Sequence, residues 1–273
     1  MTEIAAIPEK GRPRMSVTHA IEQKLNVMHA VIMRDIRSRY FNHGLGFLVV
    51  PLFPVAHMFL LLGIYSVTGR HSEFGDDLRL FFATGMTPAL TFSYLSRFMS
   101  ISLIANKSMM AFPVVRLLDI VLARAFLEYI AFTIALFIIC IFLISSGSNP
   151  IPTYPAQALL GYFFSIVMGI GFGIIASIIA SIIPVFTLIY GLSMAVLYIS
   201  SGAVLYLHSL PEQALYLCSF NPVFHAVEWI RSAYYLGYPT QYLSKTYLIC
   251  FSLGSVAFGL LFERLMRPYI LNR

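Results

Sequence analysis

Charge is scarce in this sequence. Of 273 residues, 11% are Asp, Glu, Lys or Arg, against about one quarter in an ordinary soluble domain. That shortage excludes a fold built to face water on all sides. Cysteine is scarce too, and Cys140, Cys218 and Cys250 show no CxxC spacing, so neither a disulfide framework nor a metal site is implied. No G-x-x-x-x-G-K-[ST] phosphate loop occurs. Asn106-Lys107-Ser108 is the nearest approach and lacks the glycines that let backbone amides cradle phosphates, which excludes ATP binding of that kind. There is no G-x-S-x-G elbow, H-E-x-x-H or D-x-D pattern, so no catalytic, cofactor-binding or metal-ligating residue is assigned. The opening MTEIAAIPEKGRPRMS has no apolar core ahead of a small-residue cleavage site, and no removable signal peptide is expected.

Hydrophobic residues make up 59% of the chain. A bilayer core about 30 Å thick needs roughly 20 apolar residues per helix, and suitable runs lie near 44–66, 80–104, 118–145, 157–180, 184–206 and 246–265. The fold class is therefore an all-α integral membrane protein with about six transmembrane helices. A polar tail, 1–15, precedes a segment, 16–43, in which Val17, Ile21, Leu25, Met28 and Ile32 share one helical face. This reads as an amphipathic interface helix on the inner membrane surface. Arg34, Arg37 and Arg39 lie toward its end, just before the first apolar run, where they would meet anionic head groups.

With the amino end inside, 14 of the 18 Lys and Arg residues fall on the inner side, and the opposite orientation reverses that bias. Both termini, including the tail 266–273, are expected to be cytoplasmic. The stretch Gln157 to Leu207 carries no charge and is too long for one crossing, so a hairpin is placed at Pro184. Gly169, Gly173, Ser177 and Ser181 form a small-xxx-small stripe for close helix packing.

The segment 207–245 is rich in aromatics but divided by Pro211, Pro222 and Pro239, which leaves pieces too short to span. Short re-entrant helices on the outer side before the last span fit it. Within it His225, Glu228 and Arg231 recur every three residues and read as a paired or hydrogen-bonded polar stripe. Arg124 and Glu128, one helical turn apart near the inner end of the third span, read as an intramembrane ion pair. His71 and Asp76 form an H-x4-D pair, read as a solvated loop rather than an acyltransferase site.

Three motif groups carry a family likeness running from about residue 30 to the C-terminus. The first is Arg34-Asp35-Ile36-Arg37-Ser38-Arg39-Tyr40 with Leu45-Gly46-Phe47 and Pro51. The second is Asn106 to Arg124 with Phe112-Pro113 and Asp119, followed by Glu128. The third is Ser201-Gly202, Leu210-Pro211, Asn221-Pro222 and Glu228-x-x-Arg231. Together they resemble the capsule-exporting branch of the ABC-2-type polysaccharide export permeases. Phe47 departs from the tryptophan many members carry, and the turn at 181–184 lacks their charges.

The resemblance implies a non-catalytic permease whose transmembrane domain spans 44–265, acting as a homodimer with two copies of an ABC ATPase in a bacterial inner membrane. ATP and Mg would bind the ATPase. The cargo would be a lipid-linked polysaccharide, with periplasmic capsule-export proteins as further partners, membrane lipids around it and no nucleic acid. O-antigen or teichoic-acid export is the alternative cargo, and a transferase acting on lipid-linked sugars is the alternative of another class. The inner segment 105–117 would couple to the ATPase through Asn106, Met109, Met110, Phe112, Pro113, Val114 and Arg116. The outer segment 207–245 would be a gate built on Asn221, Pro222, His225, Glu228, Trp229, Arg231 and Tyr235.

Overall fold

Residues 17–39 and 44–271 are described in the computed structural model. The tail 1–15 and residues 40–43, the end of the expected interface segment, lie outside them. Among the described residues there is no strand, and the chain runs through ten helices: α1 (Val17–Arg39), α2 (Val49–Val67), α3 (Leu78–Ser100), α4 (Ser102–Ala105), α5 (Leu117–Ser145), α6 (Pro155–Ile182), α7 (Phe186–Ser200), α8 (Glu212–Cys218), α9 (Pro222–Tyr234) and α10 (Lys245–Leu271). Four of them combine spanning length with high hydropathy: α2 with the turn before it, α5, α6 and α10.

α3 is long enough to span at 23 residues but is less apolar, because it carries Thr84, Thr87, Thr91, Ser96 and Ser100. Each of those hydroxyls donates to a carbonyl of the preceding turn. Nearly the whole helix is buried, from Phe81 through Ser100. A helix shielded from lipid by its neighbours can hold polar side chains that a lipid-facing helix cannot.

α7 is shorter than the run that suggested it. It ends at Ser200, because Gly202 takes a left-handed conformation at φ 76° and turns the chain away. Its 15 residues rise about 22 Å, less than a hydrocarbon core. α10 departs in the other sense and continues through Leu271, so the described part of the expected tail is helical.

The core is α6 packed between α3 and α10. Glycine makes both contacts: a methyl group on Gly173 would lie 2.5 Å from Met99 Sδ on α3, and one on Gly171 would lie 2.1 Å from Ser255 Oγ on α10. The stripe at Gly169 and Gly173 is thus used inside the chain, against Leu95, Phe92 and Met99. α9, expected on the outer side, is enclosed by α3, α6 and α10, with every residue from Pro222 to Arg231 buried.

Candidate functional site

The expected functional residues gather at opposite ends of α3 and α5. At one end α1 lies on α5 and is fixed by buried charge. Arg124 pairs with Glu128 on its own helix and with Asp35 of α1 at 3.5 Å, and its guanidinium lies 5.1 Å from the Phe98 ring centroid of α3. All three charged residues are at most 3% exposed. The i,i+4 spacing made the Arg124–Glu128 contact visible in the sequence. Asp35, 89 positions away from Arg124, carried no local signal. Lys24 adds a looser bridge to Asp119 at 3.6 Å.

The same helix grips the inner segment. Arg34 donates to Asn106 Oδ1 at 3.3 Å and Ser108 Oγ at 2.9 Å, and buried Asn106 donates to Ser102 O at 3.0 Å. The seven expected coupling residues then divide. Met109 and Met110 turn inward onto the cluster of Val31, Leu117 and Ile178. Phe112, Pro113, Val114 and Arg116 are exposed, Phe112 by 58%. The division follows from the tight turn Lys107–Ala111, which sends successive side chains to different sides. Asp119 Oδ2 accepts from the Arg116 N–H at 3.1 Å and starts α5.

At the other end α9 is set by its first residue. Asn221 Oδ1 accepts from Val223 N–H at 2.9 Å, while its Nδ2 donates to Leu197 O at 2.7 Å and Ser200 Oγ at 2.9 Å. One side chain thus begins α9 and closes α7, and Pro222 follows at the helix start, where its missing N–H costs nothing. His225 Nε2 donates to Ser219 O at 2.8 Å and Nδ1 accepts from Ser244 N–H at 3.2 Å, which fixes the tautomer. Trp229 donates to Gln157 Oε1 at 2.7 Å.

Glu228 and Arg231 face one another in sequence spacing yet do not pair directly. Glu228 accepts from His208 Nε2 and from Tyr238 OH, both at 2.7 Å. Arg231 donates to Leu205 O and Ala203 O, both at 3.3 Å, and its guanidinium stands 4.0 Å from the Phe81 ring centroid. The physical reason is burial. At zero exposure each group takes the donors or acceptors brought nearest by the folded loops before and after α9. Gly85 makes room, since a methyl group there would lie 2.3 Å from Ala203 O and 2.5 Å from Arg231 Nη2. Sequence reasoning missed His208, Tyr238 and Gly85; an isolated histidine in an apolar stretch was the one available sign. Tyr235 sits apart from α9's buried row, in a ring cluster with Phe74, Tyr238 and Tyr206.

Among the described residues no three His, Cys, Asp or Glu side chains approach closely enough to hold a metal ion. His71 and Asp76 are both exposed in the loop before α3.

A polytopic helical chain with a buried α9 and an exposed apolar knob between α4 and α5 fits a transporter's membrane domain better than a reaction centre. The chain belongs to the ABC-2 type transporter family, whose model matches residues 26–235. Its relatives include the polysialic acid transport protein KpsM of Escherichia coli, 28% identical over 242 residues, which is 89% of this chain and 93% of that protein. The capsule polysaccharide export inner-membrane protein CtrC of Neisseria meningitidis is 26% identical, covering 92% of this chain and 95% of that protein. The corresponding protein BexB of Haemophilus influenzae is 28% identical over 86% and 88%.

Proposed function

We propose that this chain is the membrane subunit of an ATP-driven exporter that carries lipid-linked capsular polysaccharide across a bacterial inner membrane. The observation that carries the reading is coverage: relatives named for polysialic acid transport and capsule polysaccharide export match almost end to end. A separate ABC ATPase, in two copies, supplies the energy, and it binds the ATP and Mg. The permease acts as a homodimer, with both termini cytoplasmic. The surface of α7 is consistent with that dimer, since it buries only Tyr190 and Met194 and exposes Leu188, Leu192 and Val196.

The ATPase docks on the knob formed by Phe112, Pro113 and Val114, apolar side chains that a water-facing loop would otherwise leave bare. Met109, Met110 and Asn106 support the knob from below, and Arg34 ties it to α1. Segment 207–245 gates the exit. A transferase acting on lipid-linked sugars is disfavoured because Asp35, Glu128, Glu228 and Glu263 are each engaged by a protein side chain.

The test is a permease carrying Phe112→Asp and Val114→Asp together. Export of capsule is lost and transport-coupled ATP hydrolysis falls, while the amount of permease in the membrane stays unchanged. Normal export would overturn docking at this knob. Reporter tags at residue 5 and residue 273 should both be cytoplasmic, and one near Asp76 periplasmic; any other pattern would overturn the orientation.

A further inference from the structure

α5 changes partners along its length. Its first half packs on α6, with Ile120, Val121 and Ala125 against Ile174 and Ile178. Its second half packs instead on α2 and α3, with Phe132, Ile139 and Leu143 against Met58 and Phe82. α6 is left standing off from that second half, and the gap is a crevice of about 300 Å³ walled by α3, α5, α6 and α9 and closed at one end by prolines of the α5–α6 loop.

Its lining is almost wholly hydrocarbon, from Leu80, Leu136, Ile139, Leu159 and Ile230. The two threonines on its wall spend their hydroxyls on their own helix, Thr84 on Leu80 O at 2.9 Å and Thr87 on Ala83 O at 2.6 Å. Among its described lining side chains, the Tyr162 and Tyr234 hydroxyls and the Cys140 thiol are the groups that keep bonding capacity. A sugar or a head group would find almost nothing to bond here, and water fares no better. The flanks of α5 and α6 are exposed and apolar, Ile141 at 65% and Leu159 at 69%, so the crevice opens onto the surface that meets lipid. Left empty there, its walls would forfeit their dispersion contacts. Beyond its closed end a polar ring begins, where Arg79 donates to Ser146 O at 2.5 Å and to Asp77.

We infer that the α3–α5–α6–α9 crevice is a binding site for one alkyl chain of a membrane phospholipid, with the head group at the level of Arg79 and Ser146 and the chain running toward Tyr162. Phospholipid is the occupant because it is the abundant alkyl-bearing molecule at this lipid-facing wall. The chain acts as a wedge that keeps α5 and α6 apart beside α9. The inference goes beyond the proposed cargo and needs only that α5 and α6 span a bilayer.

The test uses the purified complex in detergent with a trace of phospholipid bearing a photoreactive diazirine at mid-chain, and maps adducts by peptide mass spectrometry. Adducts are expected on Leu136, Cys140 and Leu159, and excess unlabelled phospholipid should remove them. Cys140→Trp fills the crevice and should lower the adducts on Leu136 and Leu159 about tenfold, while those on lipid-facing Leu60 and Leu261 stay level. Cys140→Ser keeps the space and should keep the labelling. If Cys140→Trp does not fold, Ala158→Phe narrows the opposite wall and should act alike. Adducts spread evenly over all lipid-facing helices and indifferent to these variants would overturn the site. So would a Cys140–Cys140 disulfide between two copies on mild oxidation, which would assign the crevice to a protein interface.

Discussion

The two buried polar clusters solve the same problem in different ways. At the α1 end, charge meets charge, with Arg124 held between Asp35 and Glu128. At the α9 end neither charge meets a carboxylate or guanidinium: Glu228 takes a histidine and a phenol, and Arg231 takes two backbone carbonyls and the face of Phe81. A charge trio tolerates little change, because removing one member strands the others in a medium that cannot solvate them. A charge held by hydrogen bonds to several separate groups depends less on any one partner. The contrast suits a rigid joint between α1 and α5 and, on the proposed gating role of 207–245, a segment around α9 that can rearrange.

The largest test of that contrast is Arg124→Ala. It removes the guanidinium shared by two buried carboxylates and should cost about 3–5 kcal/mol, read as loss of folded, monodisperse protein in detergent. Arg124→Lys should recover part of the loss. Glu228→Gln should cost less, about 1–2 kcal/mol, because the amide oxygen still accepts from His208 or Tyr238. Equal melting temperatures for Arg124→Ala and Glu228→Gln would break the comparison. Next comes Asn221→Ala, which removes the start of α9 and the tie to α7 together and should cost about 1 kcal/mol.

The smallest effect is one of pH. Burial pushes the Asp77 carboxyl up, but hydrogen bonds from Ser148 and Arg79 and the nearby Arg79 charge outweigh it and hold it below the ordinary carboxylate value. A carboxyl lowered on folding adds stability above its unfolded value and loses it as pH falls through the lowered one. Asp77→Asn should therefore lower the melting temperature slightly at neutral pH, leave it nearly unchanged at the acid end, and so flatten the fall between them.

Much of this was legible in the sequence, and the limits are physical. Long apolar runs marked α2, α5, α6 and α10, because hydropathy and length are local properties. The end of α7 needed the conformation of Gly202. The Arg124–Glu128 contact followed from one helical turn, whereas Asp35 required the docking of α1. The spacing of Glu228 and Arg231 left a pair and a hydrogen-bonded stripe both open, and the fold supplied hydrogen bonds, to His208 and to Ala203 O. Met109 and Met110 pack partly on the chain's own core, a placement that residue type alone does not separate from burial under a partner.

The close approach of α6 to α10 also sets an order of events at the ribosome. Gly171 and Gly259 exist to meet across that contact, a methyl group on Gly259 falling 3.2 Å from Gly171 O. Yet 62 residues separate Ile182 from Lys245. At elongation rates of roughly 5–20 residues per second, α6 waits on the order of several seconds for its partner. During that interval its glycine face is open to other helices, to lipid and to membrane proteases. A nascent chain cut short before Lys245 would keep open the side of α6 that carries Gly171.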